Sequence, residues 1–363
     1  MCKKMYDYWL YGLEGIGRKT FFRLKDEGYD GEKLYSCDGN KLPLFLNEKQ
    51  KNSIREGKQR VQRDIFYEYE KMKKQGIFMT VFGDADYPKR LYRIPDAPAV
   101  LFYKGKLPKD EGKNIAIIGA RNCSEYGKVV AEEFATYFAK KGICVVSGMA
   151  MGVDGYAQMA TIKEGGFSVG VLGSGVNVCY PKEHVELYNN LIKKGCVISE
   201  YLPYINASAN LFPPRNRIIS GLSDALLVVE AKEKSGTLIT VEMALEQGKE
   251  VYVVPGRITD ALSRGCNRLL FEGANPVISP QKMLEELYGE LYECEIKEKM
   301  MEENEVKKII LSFLEITPLH INVLQERTGL PVEVLSRELL QLLLEDKIVQ
   351  VGNQWYQINA RQL

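Results

Sequence analysis

Several short segments of this 363-residue chain combine glycine, hydroxyl side chains and cations in the manner of anion-binding turns. They are Gly119-Ala120-Arg121; Ser147-Gly148-Met149-Ala150-Met151-Gly152-Val153-Asp154; Gly173-Ser174-Gly175, running on to Tyr180-Pro181-Lys182; and Ser235-Gly236-Thr237. Glycine permits close backbone approach, and serine, threonine and helix N-termini supply donors, so such turns converging on one rim make an anion pocket. Arg121, Lys182, Arg215 and Arg217 fall on expected loops or first helical turns, with Tyr126, Tyr180 and Phe212 nearby. That pairing suits single-stranded nucleic acid: cations track phosphates while aromatic faces stack bases, each stacked base contributing about 1–3 kcal/mol. A mononucleotide is served equally well. Phe212 reads equally as a core residue, and Arg217 equally as half of a structural ion pair.

Other chemistries lack their residues. A dinucleotide site needs G-x-G-x-x-G after the first strand, but after Gly119 the next glycine is Gly127; no G-x-x-x-x-G-K-[ST] occurs. The only histidines are His184 and His320, and neither lies in a glycine turn, so a Ser-His-Asp or Cys-His arrangement has no support. His184 reads as a residue at a helix start, and Asp154 as a helix cap or dipole partner. Glu200 and Glu230 are the other carboxylates near expected strand ends. Eight cysteines are scattered without a C-x-x-C pair, which argues against a zinc site or disulfide framework and for small buried hydrophobes. No catalytic residue, metal or cofactor is expected.

The elements that must hold these turns follow from periodicity. Apolar runs at Ile115–Ile118, Ile143–Val146, Ser168–Leu172, Val197–Ser199, Ala225–Val229 and Glu250–Val254 alternate with amphipathic stretches at Tyr126–Lys141, Asp154–Glu164, Leu238–Gln247 and Gln281–Tyr288. Runs apolar on both faces and joined by helices require a parallel sheet covered on both sides. The expected fold is therefore α/β, a Rossmann-like, doubly wound, mostly parallel sheet, whose ligands bind beyond the carboxyl ends of the strands.

Charge divides the chain further. Residues 1–76 carry 17 basic and 12 acidic side chains, residues 77–290 carry 24 of each, and residues 291–363 carry 8 and 12. The expected domains are a helical N-terminal region (1–76), the sheet domain (77–290), a linker (291–304) and a C-terminal module (305–363). In the first, Leu13-Glu14-Gly15-Ile16-Gly17 followed by Arg18 and Lys19 has a helix-hairpin-helix (SAM-like) signature, and a charged helix is expected over 48–75. In the last, three helices over 305–314, 320–328 and 332–346 precede a hairpin around Gly352-Asn353. No apolar run is long enough for a membrane span, and the N-terminus has no secretory pattern, so a soluble cytoplasmic protein is expected.

The ordered blocks Ile117-Ile118-Gly119-Ala120-Arg121, Ser147 to Asp154, Val171-Leu172-Gly173-Ser174-Gly175 with Tyr180-Pro181, Ser199-Glu200, Phe212-Pro213-Pro214-Arg215-Asn216-Arg217, Glu230-Ala231, Ser235-Gly236-Thr237-Leu238-Ile239-Thr240, Val254-Pro255-Gly256 and Glu272-Gly273-Ala274 resemble the DNA-processing protein DprA (Smf) family over residues 86–274. The resemblance implies a non-enzymatic single-stranded DNA-binding protein of natural transformation. Such a protein is a homodimer that protects incoming strands, loads the RecA recombinase and relieves occlusion by single-strand-binding protein. By position, Arg121 and Lys182 would contact phosphates; Arg215, Asn216 and Arg217 would shape or line the pocket. Ala120 stands where serine or threonine is frequent, which removes one hydroxyl donor. Leu269, Leu270 and Phe271 are the candidates for the dimer or RecA surface. The C-terminal module resembles a winged helix, but its third helix offers Glu333, Glu338, Glu345 and Asp346 against Arg337 and Lys347, so protein contact is favoured over duplex reading. Two alternatives stand: a phosphoribohydrolase of the lysine-decarboxylase-like (LOG) group, whose P-G-G-x-G-T-x-x-E segment is not reproduced at Glu233–Glu242, and a small-nucleotide sensor.

Overall fold

The computed structural model describes residues 3–39, 41–59, 62–289, 306–314 and 317–359. The chain divides into two compact units, Met1–Met283 and Leu284–Leu363. The expected linker at 291–304 lies outside the described residues.

In the first unit the strands are β1 (Phe78–Val81), β2 (Val100–Gly105), β3 (Asn114–Ile118), β4 (Cys144–Ser147), β5 (Ser168–Val171), β6 (Cys196–Ser199), β7 (Ala225–Val228), β8 (Glu250–Val253) and β9 (Asn275–Pro276). They form one sheet in the order β1-β2-β6-β5-β4-β3-β7-β8-β9. Pairing is parallel from β6 through β9, and β1 and β2 add on antiparallel. Ile115, Val145, Val169, Val197 and Leu226 are fully buried, as parallel strands covered on both faces must be. The fold is thus the mixed α/β, mostly parallel sheet that the alternation predicts. β1 and β2 escape that reading because their mixed sequences, FMTV and VLFYKG, lie outside the strand–helix alternation.

Strand order fixes where a ligand site can form. From β3 the chain builds β4, β5 and β6 to one side, then returns through the helix Phe212–Leu222 to lay β7 on the other side. The turns after β3 and β7 therefore diverge and leave a crevice above their carboxyl ends.

The N-terminal helices Lys3–Tyr11, Arg18–Asp26, Gly31–Ser36, Glu48–Gln59 and Gln62–Lys74 belong to the same unit. Met5, Trp9, Leu10, Phe21 and Ile54 share one core with Val81, Val100 and Phe102, so apolar packing runs across residue 76, where a boundary is expected. The helix expected over 48–75 is two helices. Arg18 is paired with Asp96 and so is not free for a phosphate.

The second unit contains a helix at 306–313, helices Ile321–Thr328 and Val332–Leu344, and three strands: β10 (Leu319–His320), β11 (Ile348–Gly352) and β12 (Trp355–Ile358). The sheet order is β10-β12-β11. Ile310, Leu324, Leu335, Leu339, Leu342 and Ile348 give this unit a core of its own. Gly329, at φ 69°, ends the second helix in the left-handed conformation that glycine tolerates. No helix among the described residues is long and apolar enough to cross a membrane.

Candidate functional site

The crevice at the strand-order reversal is a cleft of about 610 Å³. The turn after β3 supplies Gly119, Arg121 and Asn122, the turn after β7 supplies Lys232, Ser235, Gly236 and Thr237, and Tyr180, Phe212, Arg215 and Asn216 also line it. Nine of the expected site residues thus meet: Gly119, Arg121, Tyr180, Phe212, Arg215, Asn216, Ser235, Gly236 and Thr237.

An aromatic platform forms part of the lining. The rings of Tyr180 and Phe212 stack with centroids 5.5 Å apart and 28° between planes. The Arg121 guanidinium lies 5.5 Å from the Phe212 centroid and that of Arg215 lies 5.9 Å away. Tyr180 and Arg121 are exposed, so a flat ligand can reach a π face with a cation beside it. The helix Gly236–Glu246 starts at the cleft lining with no side-chain cap. The Ser235 hydroxyl at its start has no hydrogen-bond partner among the described residues, while Thr237 Oγ1 donates to the Gly119 carbonyl at 3.2 Å. Uncapped N–H groups and the positive end of a helix favour an anion.

Behind the cleft lies a scaffold built from the remaining motif residues. Arg215 is buried; its Nη1 donates to the Gly148 carbonyl at 2.8 Å and to that of Val171. Asp154 Oδ2 accepts from the Gly148 amide at 3.0 Å. Burial lowers the Arg215 proton affinity to about 10 despite the neighbouring Asp154 charge, so the guanidinium stays ionised at neutral pH. The Asp154 carboxyl is pushed up by burial, against the pull of Arg215. Ser147 is fully buried and donates to the Ile117 carbonyl at 2.6 Å, tying β4 to β3. Gly148 is wedged where a Cβ would lie 2.8 Å from both Arg215 Nη2 and Asp154 Oδ2. Gly152, at φ +77°, would drive a Cβ into the Ala120 and Arg121 carbonyls; Gly173 would strike the Phe212 ring, and Gly175 the backbone at Leu202–Pro203. Ser147, Gly148, Gly152, Gly173 and Gly175 are expected as direct contacts, but they are not among the residues that line the cleft. Their smallness and hydrogen bonds position Arg121 and Phe212 instead.

Arg217 is not available to the cleft. Its Nη1 and Nη2 meet the Glu200 carboxylate at 2.7 and 2.6 Å, its Nε donates to the Asp96 carbonyl at 2.8 Å, and it is buried. That guanidinium is committed to an internal pair, the structural role the sequence left open. Lys182 is exposed on the short turn Lys182–His184, and Tyr126 is exposed on the helix Glu125–Lys140; both stand outside the cleft lining. Leu269 is buried in the sheet core and Leu270 packs against it, because the helix Arg264–Phe271 turns Cys266 and Leu269 inward. Neither is an exposed surface residue; Phe271 is, at 92% exposure.

Lys232 and Asn122 line the cleft although the sequence reading passed over them. Lys232 sits in the run Lys232-Glu233-Lys234, which looks like an ordinary solvated turn. The usable signal was its position just beyond the carboxyl end of β7. His184 turns Nδ1 to the Met149 carbonyl at 3.2 Å and is outside the cleft. Among the described residues no group of histidine, cysteine and carboxylate side chains is placed to hold a metal.

Residues 78–288 match the family model for DNA recombination-mediator protein A, and residues 301–354 match the model for the DprA winged helix domain. The DNA processing protein DprA of Bacillus subtilis (strain 168) is 41% identical over 216 residues, 59% of this chain and 73% of that protein. The X-ray structure of DNA processing protein A from Streptococcus pneumoniae superposes with a TM-score of 0.65 at 33% identity, covering 78% of this chain and 97% of that one. The DNA processing protein A of Helicobacter pylori, studied for its single-stranded DNA binding mode, gives a TM-score of 0.53 at 26% identity, covering 58% and 95%.

Proposed function

Because the chain belongs to the DNA recombination-mediator protein A (DprA/Smf) family, we propose that its cleft binds single-stranded DNA and that it acts, without catalytic turnover, in processing DNA for transformation and recombination. The observation that carries this reading is the Tyr180–Phe212 stack with Arg121 over the same ring, in one cleft with an uncapped helix N-terminus and an unpartnered Ser235 hydroxyl.

In this reading Arg121 and Lys232 neutralise phosphates. The amides at the start of Gly236–Glu246 and the Ser235 hydroxyl hydrogen-bond phosphate oxygens, and Tyr180 supports a base. Every base has a π face and every nucleotide a phosphate, so recognition is tolerant of sequence and sensitive to salt. Lys182, one short turn beyond Tyr180, continues the cationic path. Titration of a fluorescent oligothymidylate at several salt concentrations tests this. Salt-sensitive binding supports it, and absence of binding defeats it.

Phe271, strongly exposed in the first unit, takes part in self-association or in contact with a recombinase of the RecA type, with single-strand-binding protein as a further partner. The winged-helix unit takes a protein-contact role, and the site of action is the cytoplasm.

A further inference from the structure

Beside the cleft, the surface carries a second set of exposed aromatic side chains that the pocket does not use. Gly152 packs so closely on the Ala120 and Arg121 carbonyls that the turn after β4 and the turn bearing Arg121 form one continuous ridge. Ala150 on that ridge lines the cleft, whereas Met151 next to it is exposed. One turn further on, Tyr156 projects from the helix Val153–Lys163 with 37% of its surface exposed, and the Lys128 ammonium lies 5.2 Å from its ring centroid. Tyr126, two residues before Lys128, is 54% exposed. The Lys182–His184 turn packs on the same helix, because a Cβ on Gly155 would fall on the His184 ring.

We propose that this ridge is a second nucleobase subsite, in which a strand leaving the cleft past Arg121 stacks a base on Tyr156 with its phosphate beside Lys128. The inference rests on the single-strand reading of the cleft and extends it. Tyr156 and Lys128 reproduce the aromatic–cation pairing of Phe212 and Arg121, on a surface joined to the first site by direct backbone packing. Glu125 holds Lys128 only loosely, at 3.8 Å from an exposed position, and an exposed pair of that kind yields readily to a phosphate.

Oligonucleotide length separates the two sites. Full-length protein and its Tyr156→Ala and Tyr156→Phe variants are titrated with labelled oligothymidylates of about 6 and about 20 nucleotides, one filling the cleft alone and the other able to span both sites. Tyr156→Ala is expected to weaken the long strand about tenfold and to leave the short strand unchanged, which also shows the variant is folded; Tyr156→Phe is expected to bind both as wild type does. Unchanged affinity of Tyr156→Ala for the long strand overturns the subsite. Equal losses on both lengths overturn it too, since the residue then acts through the cleft. Wild-type protein that binds neither length overturns the single-strand reading itself.

Discussion

Arg217 and Glu200 meet fork to fork inside the protein, Nη1 to Oε1 at 2.7 Å and Nη2 to Oε2 at 2.6 Å, with both side chains almost wholly buried. Two residues earlier on the same helix, Arg215 is also buried but turns to the Gly148 and Val171 carbonyls behind the cleft. Burial disfavours the charge on Arg217, yet the hydrogen bonds and charge of Glu200 hold its proton affinity above the ordinary guanidinium value. The pair fastens the helix Phe212–Leu222 to the end of β6, and so sets where Phe212 stands.

Removing one partner strands the other charge. Arg217→Ala is expected to cost about 3–5 kcal/mol in chemical denaturation. The double replacement of Arg217 by Met and Glu200 by Leu is expected to cost clearly less, because no charge remains buried. A double variant as unstable as the single one would contradict this account.

Gly152 allows the Arg121 turn to approach. Gly152→Ala combines an unfavourable φ of +77° with a collision at the Ala120 and Arg121 carbonyls, and is expected to lower stability by about 1–3 kcal/mol while weakening oligonucleotide binding. Thermal melts and anisotropy on the same samples check both. Wild-type binding by this variant would show that Arg121 does not depend on the contact.

Alkaline pH should unfold the protein through groups that the fold keeps protonated. Burial raises Tyr103, Tyr188 and Tyr201, and the thiols of Cys144 and Cys266, each to about 12. The unfolded chain releases these protons first, near 9 for cysteine and 10 for tyrosine, so the folded state binds more protons between those values and 12. Their contribution to stability is complete below about pH 9 and falls as pH rises toward 12. Denaturation midpoints from pH 8 to about 11 are expected to decline, and flat midpoints would refute the assignment.

Much of this architecture is legible in the sequence, and the failures have physical causes. The central strands announce themselves because both faces are buried, and the glycine turns mark their carboxyl ends. Burial and direction are not legible. Arg121, Arg215 and Arg217 are alike as letters, but one is exposed over a ring, one braces a turn and one is neutralised by a carboxylate 17 positions away. Ser147, Gly148, Gly173 and Gly175 have the composition of a phosphate loop, but here Ser147 ties β4 to β3 and the three glycines make room for Arg215, the Phe212 ring and the Leu202–Pro203 backbone. Lys232 escapes notice because a lysine between loop residues carries no pattern until the sheet order places it at the crevice.

Lys232 offers a graded test. Lys232→Ala is expected to leave stability unchanged and to reduce the slope of log affinity against log salt by about 0.7, the value for one phosphate on a single strand. An unchanged slope would place Lys232 outside the contact.

A hydrolytic reading makes the opposite forecast for a small ligand. Incubation with AMP is expected to release no adenine, since neither histidine lines the cleft and the turn Glu233–Glu242 lacks the paired glycines of the LOG hydrolases. Release of free base would revive that alternative, and tight AMP binding that displaces oligonucleotides would favour a nucleotide sensor.

Whether one cleft gathers phosphate and base contacts is tested most directly by a crystal structure with a short oligothymidylate. The account predicts a phosphate between Arg121 and the N-terminus of the helix Gly236–Glu246, with a base stacked against Tyr180. A strand bound elsewhere, with the cleft empty, would contradict it.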